Sequence, residues 1–340
     1  MKYIVYPISL IIILLTSCNS TNLVTIDIRR PATITFPPEI VNIVVVDNTT
    51  KEDEEKESKE DEKGLLSIDS TKTIFLKSLR QYMSEENYFN KVEIYPYQTN
   101  HNQDKRVIAL SDRKVEAICI EKDADALISL DMFTISAQLE TENTAYFSNY
   151  TILGAKLGTL VRVFSKDGTE YREPIVQLDS LYREESSDWT KVRKNIPEIN
   201  NLLAEISTVG ADRLTGKFIP SWSTQDRWYY SNSSSRMKEA ANFLKKSQWK
   251  EASTIWKTLF DKENNSQQKI RLASNIALAQ EYMDNIDAAL EWINKAYELL
   301  PQKSKNSDLA LQVVAYRKVI EKRHATMPTL YKQLGISEEK

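Results

Sequence analysis

The sequence has 340 residues, 41% hydrophobic and 27% charged, with 45 basic and 48 acidic side chains for a net charge of −3. That length holds about two domains, and the near-neutral balance gives no electrostatic case for a nucleic-acid partner. Seven glycines, two histidines and two cysteines argue against phosphate-cradling loops and the usual Cys/His zinc sets. No metal, cofactor or catalytic residue is expected, and the chain reads as a non-enzyme. At the N-terminus, Lys2 precedes an apolar run over residues 4–15. At about 12 residues the run is too short for a bilayer span, which needs ~20, and it reads as a secretory signal over residues 1–17.

The next residues, Leu15, Thr16, Ser17 and Cys18, resemble the bacterial lipobox. The resemblance implies cleavage before Cys18 and lipid attachment there, which anchors the chain durably to a membrane. Asn19 is not the aspartate that resembles an inner-membrane retention signal, and no acidic cluster of the kind that resembles a surface-export signal follows. The expected location is therefore the outer membrane, periplasmic face. Residues 18–33 read as an anchor and linker. With Cys18 lipidated, Cys119 has no disulfide partner and sits among Val115, Ile118 and Ile120 as a buried, inert thiol.

Residues 34–220 read as a mixed-sheet α/β domain. The β-branched run 40–46 predicts a buried central strand. Residues 51–63 carry eight acids and four lysines and predict a solvated acidic loop. Helical spacing of Ile74, Phe75, Leu79 and Tyr82 predicts a helix over 69–83, capped by Asp69, Ser70 or Thr71. A strand at 91–97, a helix at 111–122 and a strand at 126–137 follow. In the last, Ser129, Asp131 and Phe133 share a face, which predicts a half-exposed Asp131. A hairpin over 158–178 turns at Lys166, Asp167 and Gly168, and a helix starts at Pro197. The order implies an α+β fold with helices on one face of a mixed sheet. Asp69-Ser70-Thr71 and Asp179-Ser180-Leu181 resemble the O-glycosylation motif of Bacteroidetes exported proteins, which implies Ser70 and Ser180 as acceptors. His101 lies in a polar loop and His324 near a helix end; neither points to catalysis.

Residues 221–232 form an aromatic connector in which Trp222, Trp228, Tyr229 and Tyr230 are expected to fasten a helical array to the α/β domain. In that array, SQWKEASTIWKTLF aligns with DNIDAALEWINKAY at a constant offset of 37 residues. Small residues stand where two helices approach: Ala240 and Ala277 on the first helix of each unit, Ala252 and Ala289 on the second, with Ala296 and the terminating Pro301 in the second unit. This resembles tetratricopeptide repeats, over 233–265 and 266–301, capped by a helix at 307–324 and followed by a tail at 327–340. By that resemblance a partner groove falls on Met237, Ala241, Arg271, Ser274 and Leu278.

The α/β order, with Ala124-Asp125-Ala126 leading into a strand, resembles the small domains of TolB and of curli-secretion lipoproteins. Residues 26–48 and 210–230, with the lipobox and repeats, resemble uncharacterised Bacteroidetes lipoproteins with C-terminal tetratricopeptide repeats. The fold class is thus α+β, a mixed-sheet α/β domain followed by all-α repeats. The expected function is a membrane-anchored scaffold or adaptor that binds an unidentified protein partner through its repeat groove. A glycan-handling envelope protein and an oligomeric secretion subunit are the alternatives; the oligomeric state is not legible.

Overall fold

In a computed structural model, described for residues 20–50, 64–101, 106–144, 147–185, 196–301 and 307–336, the chain divides into two compact units. The signal segment, Cys18 and the acidic loop at 51–63 lie outside the described residues.

The first unit is Pro31–Ser221 with Gln333–Ile336. Its five strands are β2 (Asn42–Asp47), β3 (Lys91–Ile94), β4 (Ala126–Thr144), β5 (Phe147–Ser165) and β6 (Ile175–Glu185), in the order β3-β2-β4-β5-β6. Strands β3, β2 and β4 are parallel, and β4, β5 and β6 antiparallel. Parallel strands need covered faces, and β2 shows the cause: Ile43 and Val45 enter one apolar core, Val44 and Val46 another. Helices α1 (Ile68–Glu85) and α3 (Ile196–Phe218) fill the first core, while α2 (Asp112–Lys122) fills the second. Helices therefore lie on both faces, not one, because β2 is apolar on both sides. The cap of α1 is Ser67, whose hydroxyl accepts from the Ser70 amide at 3.1 Å, rather than Asp69, Ser70 or Thr71. Asp69 instead pairs with Lys72.

Gly168 closes the β5 turn at φ 90°, where a Cβ would lie 2.5 Å from the Asp112 backbone. The Ser165 hydroxyl and the Thr169 amide hold Asp167 below the usual carboxylate range at the same turn. Cys119 is fully buried in the second core, and burial pushes its thiol up to about 11.

Among the described residues, the second unit comprises 222–332 with 20–30. Residues 20–30, expected as a linker, form β1 (Ser20–Arg30), which pairs with β7 (Ser221–Ser231). The strands run in opposite directions: Asn22 bonds Ser231, Thr25 bonds Asp226, and Asp27 bonds Thr224. Helices α4 (Ser235–Lys245), α5 (Trp249–Lys262), α6 (Ser266–Tyr282) and α7 (Ile286–Glu298) form two helical hairpins. Both hairpins turn on a left-handed residue, Ser247 at φ 58° and Asp284 at φ 61°. The closing bonds match too: Gln248 N–H to Phe243 O and Asn285 N–H to Gln280 O, each 2.9 Å. These are the same helix-ending turn 37 residues apart. Ala240, Ala252, Ala277, Ala289 and Ala296 are all 0% exposed, and Pro301 is exposed beyond α7. Helix α8 (Asp308–Leu334) continues through Pro328, past the end expected at 324 and through most of the presumed tail.

Glu281 on α6 is completely buried. It takes a two-bond fork from Arg227 of β7, both at 2.9 Å, and a 2.8 Å bond from the Tyr316 hydroxyl of α8. Arg323 of α8 lies 3.4 Å away. Burial works against the Arg227 charge, yet Glu281 holds its pKa above the ordinary arginine value. Burial, with Glu281 alongside, raises Tyr316 well above the usual tyrosine value.

Three outcomes follow. Gly168→Ala, which places a Cβ at positive φ against backbone, should cost about 1–3 kcal/mol in denaturant unfolding. Glu281→Gln should cost about 3–5 kcal/mol, because it leaves Arg227 buried without its counter-charge; the Arg227→Met, Glu281→Met pair should unfold at higher denaturant than Glu281→Gln alone. Cys119 should resist alkylation at pH 8 in the folded protein and react once the chain is unfolded.

Candidate functional site

Strand β7 is held on α6 by a side chain that imitates a neighbouring strand. The Asn275 carboxamide accepts from the Tyr230 amide and donates to the Tyr230 carbonyl, both at 2.8 Å. The Tyr230 hydroxyl donates to Gln312 at 2.8 Å, and the Trp228 ring lies 6.4 Å from Tyr316. Trp228, Tyr229 and Tyr230 thus pack into the helical unit itself, correcting their expected role as fasteners of the α/β domain. Of the aromatic quartet, Trp222 is the exposed member, 62% accessible.

This docking changes the status of the expected partner groove. Met237, Ser274 and Leu278 are buried, and Met237 and Leu278 share one apolar core with Ile26, Ile28 and Tyr229 of the two strands. Ala241 and Arg271 are half-buried. Met237, Ser274 and Leu278 are thus part of the core rather than open to a partner, while Ala241 and Arg271 keep part of their surface exposed. The sequence concealed this because a strand at 20–30 is invisible without its mate some 200 residues away.

A different concavity remains within the helical unit, a cleft of about 590 Å³. Residues 23–27 of β1 form one wall; Trp222 and Tyr229, the α4–α5 turn with Lys245 and Ser247, then Trp249 and Tyr282 complete it. Five consecutive residues of β1 border it together with Trp222 and Tyr229 of β7, so the cleft runs along the two-stranded ribbon. Trp249 and Tyr282 stack with centroids 4.1 Å apart and planes at 15°. Leu23 is 73% exposed at one end, and the Arg29 guanidinium lies 5.7 Å from the Trp222 ring. Strand residues, aromatic surfaces, the Lys245 ammonium and the Asp27 carboxylate together suit an extended, partly apolar ligand.

The α/β unit concentrates polar groups where the parallel strands end. Asp131, expected half-exposed, is 1% exposed because it sits at the β4 irregularity between Leu130 and Met132. It accepts from Asn48 at 2.9 Å, from the Ser129 hydroxyl at 2.5 Å and from Arg162 at 2.5 Å. Lys72 is buried against Asp47 at 3.1 Å and Thr49 at 2.9 Å. Burial opposes its charge, but Asp47 and Asp69 outweigh that and keep its pKa above the usual lysine value. Thr99 bonds Asn48 and receives Lys114 on its carbonyl. These groups satisfy one another and tie the strand-end loops together.

Ser70 is exposed and within 2.8 Å of the Ser67 hydroxyl; Ser180 is exposed on β6. His324 lies 2.9 Å from Asp287 on the surface, and His101 is exposed. Among the described residues no group of three or more His, Cys, Asp or Glu could hold a metal ion, and no helix is long and apolar enough to cross a membrane.

No curated protein matches the chain. Solved structures that resemble it include a minor lipoprotein from Acinetobacter baumannii (11% identity, 53% of this chain and 90% of that one, TM-score 0.29). Others are the rare lipoprotein B from Shewanella oneidensis (11%, 52% and 92%, TM-score 0.26) and lipoprotein GNA1162 from Neisseria meningitidis (14%, 48% and 99%, TM-score 0.21). At these scores the likenesses carry no functional argument. Two family models match by sequence: a domain of unknown function, DUF6340, over residues 238–322, and another, DUF8603, over residues 40–230. The second spans more than half of the sequence, and the chain belongs to the DUF8603 family.

Proposed function

We propose that the protein is a lipid-anchored, non-enzymatic scaffold of the bacterial cell envelope whose helical unit seats a protein partner in the cleft along β1. The observation that carries this reading is the cleft itself: a stretch of β1 flanked by the exposed Trp222 and Leu23 and by the stacked Trp249 and Tyr282. The repeated left-handed turns of the two helical hairpins support a tetratricopeptide-like array as its backing.

The anchor fits this reading. Strand β1 begins at Ser20, two residues after the lipobox cysteine. A chain spans at most ~3.6 Å per residue, so a lipid on Cys18 keeps the start of β1 within ~7 Å of the attachment point. The helical unit, rather than a long tether, would then meet the membrane surface. Asn19 in place of a retention aspartate supports the outer membrane, and the same signal logic supports its periplasmic face. A second reading, sugar rings stacked on Trp222, draws on the exposure of that indole.

Cys18→Ala should abolish metabolic palmitate labelling and release the protein from the membrane fraction. A photo-crosslinking residue at Leu23 should trap a defined protein in the native envelope, and one at the exposed Leu311 should not. Trp222→Ala should weaken that capture while changing folding stability by no more than about 0.5 kcal/mol, as for other exposed positions. If capture fails while glycan binding depends on Trp222, the sugar reading replaces the scaffold reading.

A further inference from the structure

The two edges of the five-stranded sheet are protected very differently. Strand β3 is four residues long, begins with Lys91, and exposes little edge. Strand β6 is eleven residues long, contains no lysine or proline, and pairs with β5 from Val161↔Ile175 to Thr151↔Glu185 without a register shift. Long, regular edges are what folded proteins otherwise shorten, bulge or charge, and the charges of β6 lie mostly at its C-terminal end, at Arg183, Glu184 and Glu185.

The outward face of β6 is apolar. Val176, Leu178 and Tyr182 are 60%, 79% and 56% exposed. Beneath them β5 places Gly154 and Gly158, where a Cβ would lie 3.1 Å from the Tyr182 ring and 3.4 Å from Leu178. The two side chains therefore lie flat across the strand instead of standing free of it. Asp179, which could repel a neighbour, is turned inward and held by Arg213 at 2.6 Å.

We infer that the protein forms a two-fold dimer in which β6 pairs antiparallel with β6 of a second copy, centred on Ser180, joining the two sheets into one. The register is chosen by the side chains. Centred on Ser180, each Leu178 stands opposite Tyr182 of the other copy, and each Gln177 opposite Arg183. Centred on Asp179, two carboxylates would face each other; centred on Leu181, the pairing of Leu178 with Tyr182 is lost and Tyr182 faces Ser180. Apolar cross-strand pairs are favourable and like charges are not, and Ser180 is the midpoint of the strand, so this register alone pairs Leu178 with Tyr182 while overlapping all eleven residues. This dimer rests on the α/β unit and is independent of the cleft along β1.

Directly opposed residues in such a pair have Cα atoms about 4.5–5.5 Å apart, inside the range a disulfide bridges. Ser180→Cys in the full mature chain, in detergent, should give a covalent dimer on mild oxidation; Gln81→Cys, at an exposed site on α1, should not. Adding Leu178→Lys should reduce the Ser180→Cys cross-link at least tenfold and shift the native mass to monomer, while the thermal midpoint matches that of the parent when both are compared at concentrations where the parent is also monomeric. A monomer at every concentration overturns the inference. So does a dimer that Ser180→Cys fails to link, or a link insensitive to Leu178→Lys.

Discussion

The helical unit depends on one buried carboxylate. Glu281 lies on α6, yet its partners come from β7 and α8: Arg227 by a two-bond fork, Tyr316 through its hydroxyl, and Arg323. A charge removed from water is costly unless every lone pair is engaged. Here that condition is met only when strand, repeat and terminal helix are all in place. The cluster therefore contributes specificity: alternative packings of the helices would strand a carboxylate in an apolar core. Asn275, one helical turn and a half away, acts in the same sense by giving the Tyr230 backbone both a donor and an acceptor.

The α/β unit uses a related device at a different place. Asp131 interrupts an otherwise apolar strand, and the irregularity at that point turns it inward to Asn48, Ser129 and Arg162. Lys72 does the same from α1 towards Asp47 and Thr49. In many open sheets the carboxyl ends of parallel strands receive ligands. In this sheet those positions are consumed by the protein's own side chains, which moves attention to the helical unit and to the edge of β6.

What the sequence made legible follows from local physics. The β-branched run before Asp47 reads as a buried strand because no other element buries both faces of so short a segment. The 37-residue offset is legible because a left-handed turn and the small residues around it recur together. The ribbon was not legible: VTIDI alternates like a strand, but a lone two-stranded ribbon is unstable without a surface to lie on, and that surface is α6. The roles of Asn275 and Glu281 were hidden for the same reason, since a carboxylate in a helix looks solvated until its partners from distant segments arrive. The extension of α8 was masked by Pro328, usually a helix-ending signal. The expected groove residues were read for their position on a repeat, and at those positions Met237, Ser274 and Leu278 belong to the core.

The pairing of β1 with β7 also has an entropic consequence. Thr25 and Asp226, or Asp27 and Thr224, are bonded neighbours separated by some 200 residues of chain. Closing so long a flexible loop carries an entropic cost of about 5 kcal/mol by itself. The intervening segment is a unit with its own core, in which the Ile34 amide bonds the Lys217 carbonyl at 2.9 Å and so brings its entry and exit together. Once that unit has folded, the long loop has become a short one. Pairing β1 with β7 therefore costs least after the inserted segment has folded, and a lesion in the α/β core would raise the cost of closing the ribbon on which the helices pack.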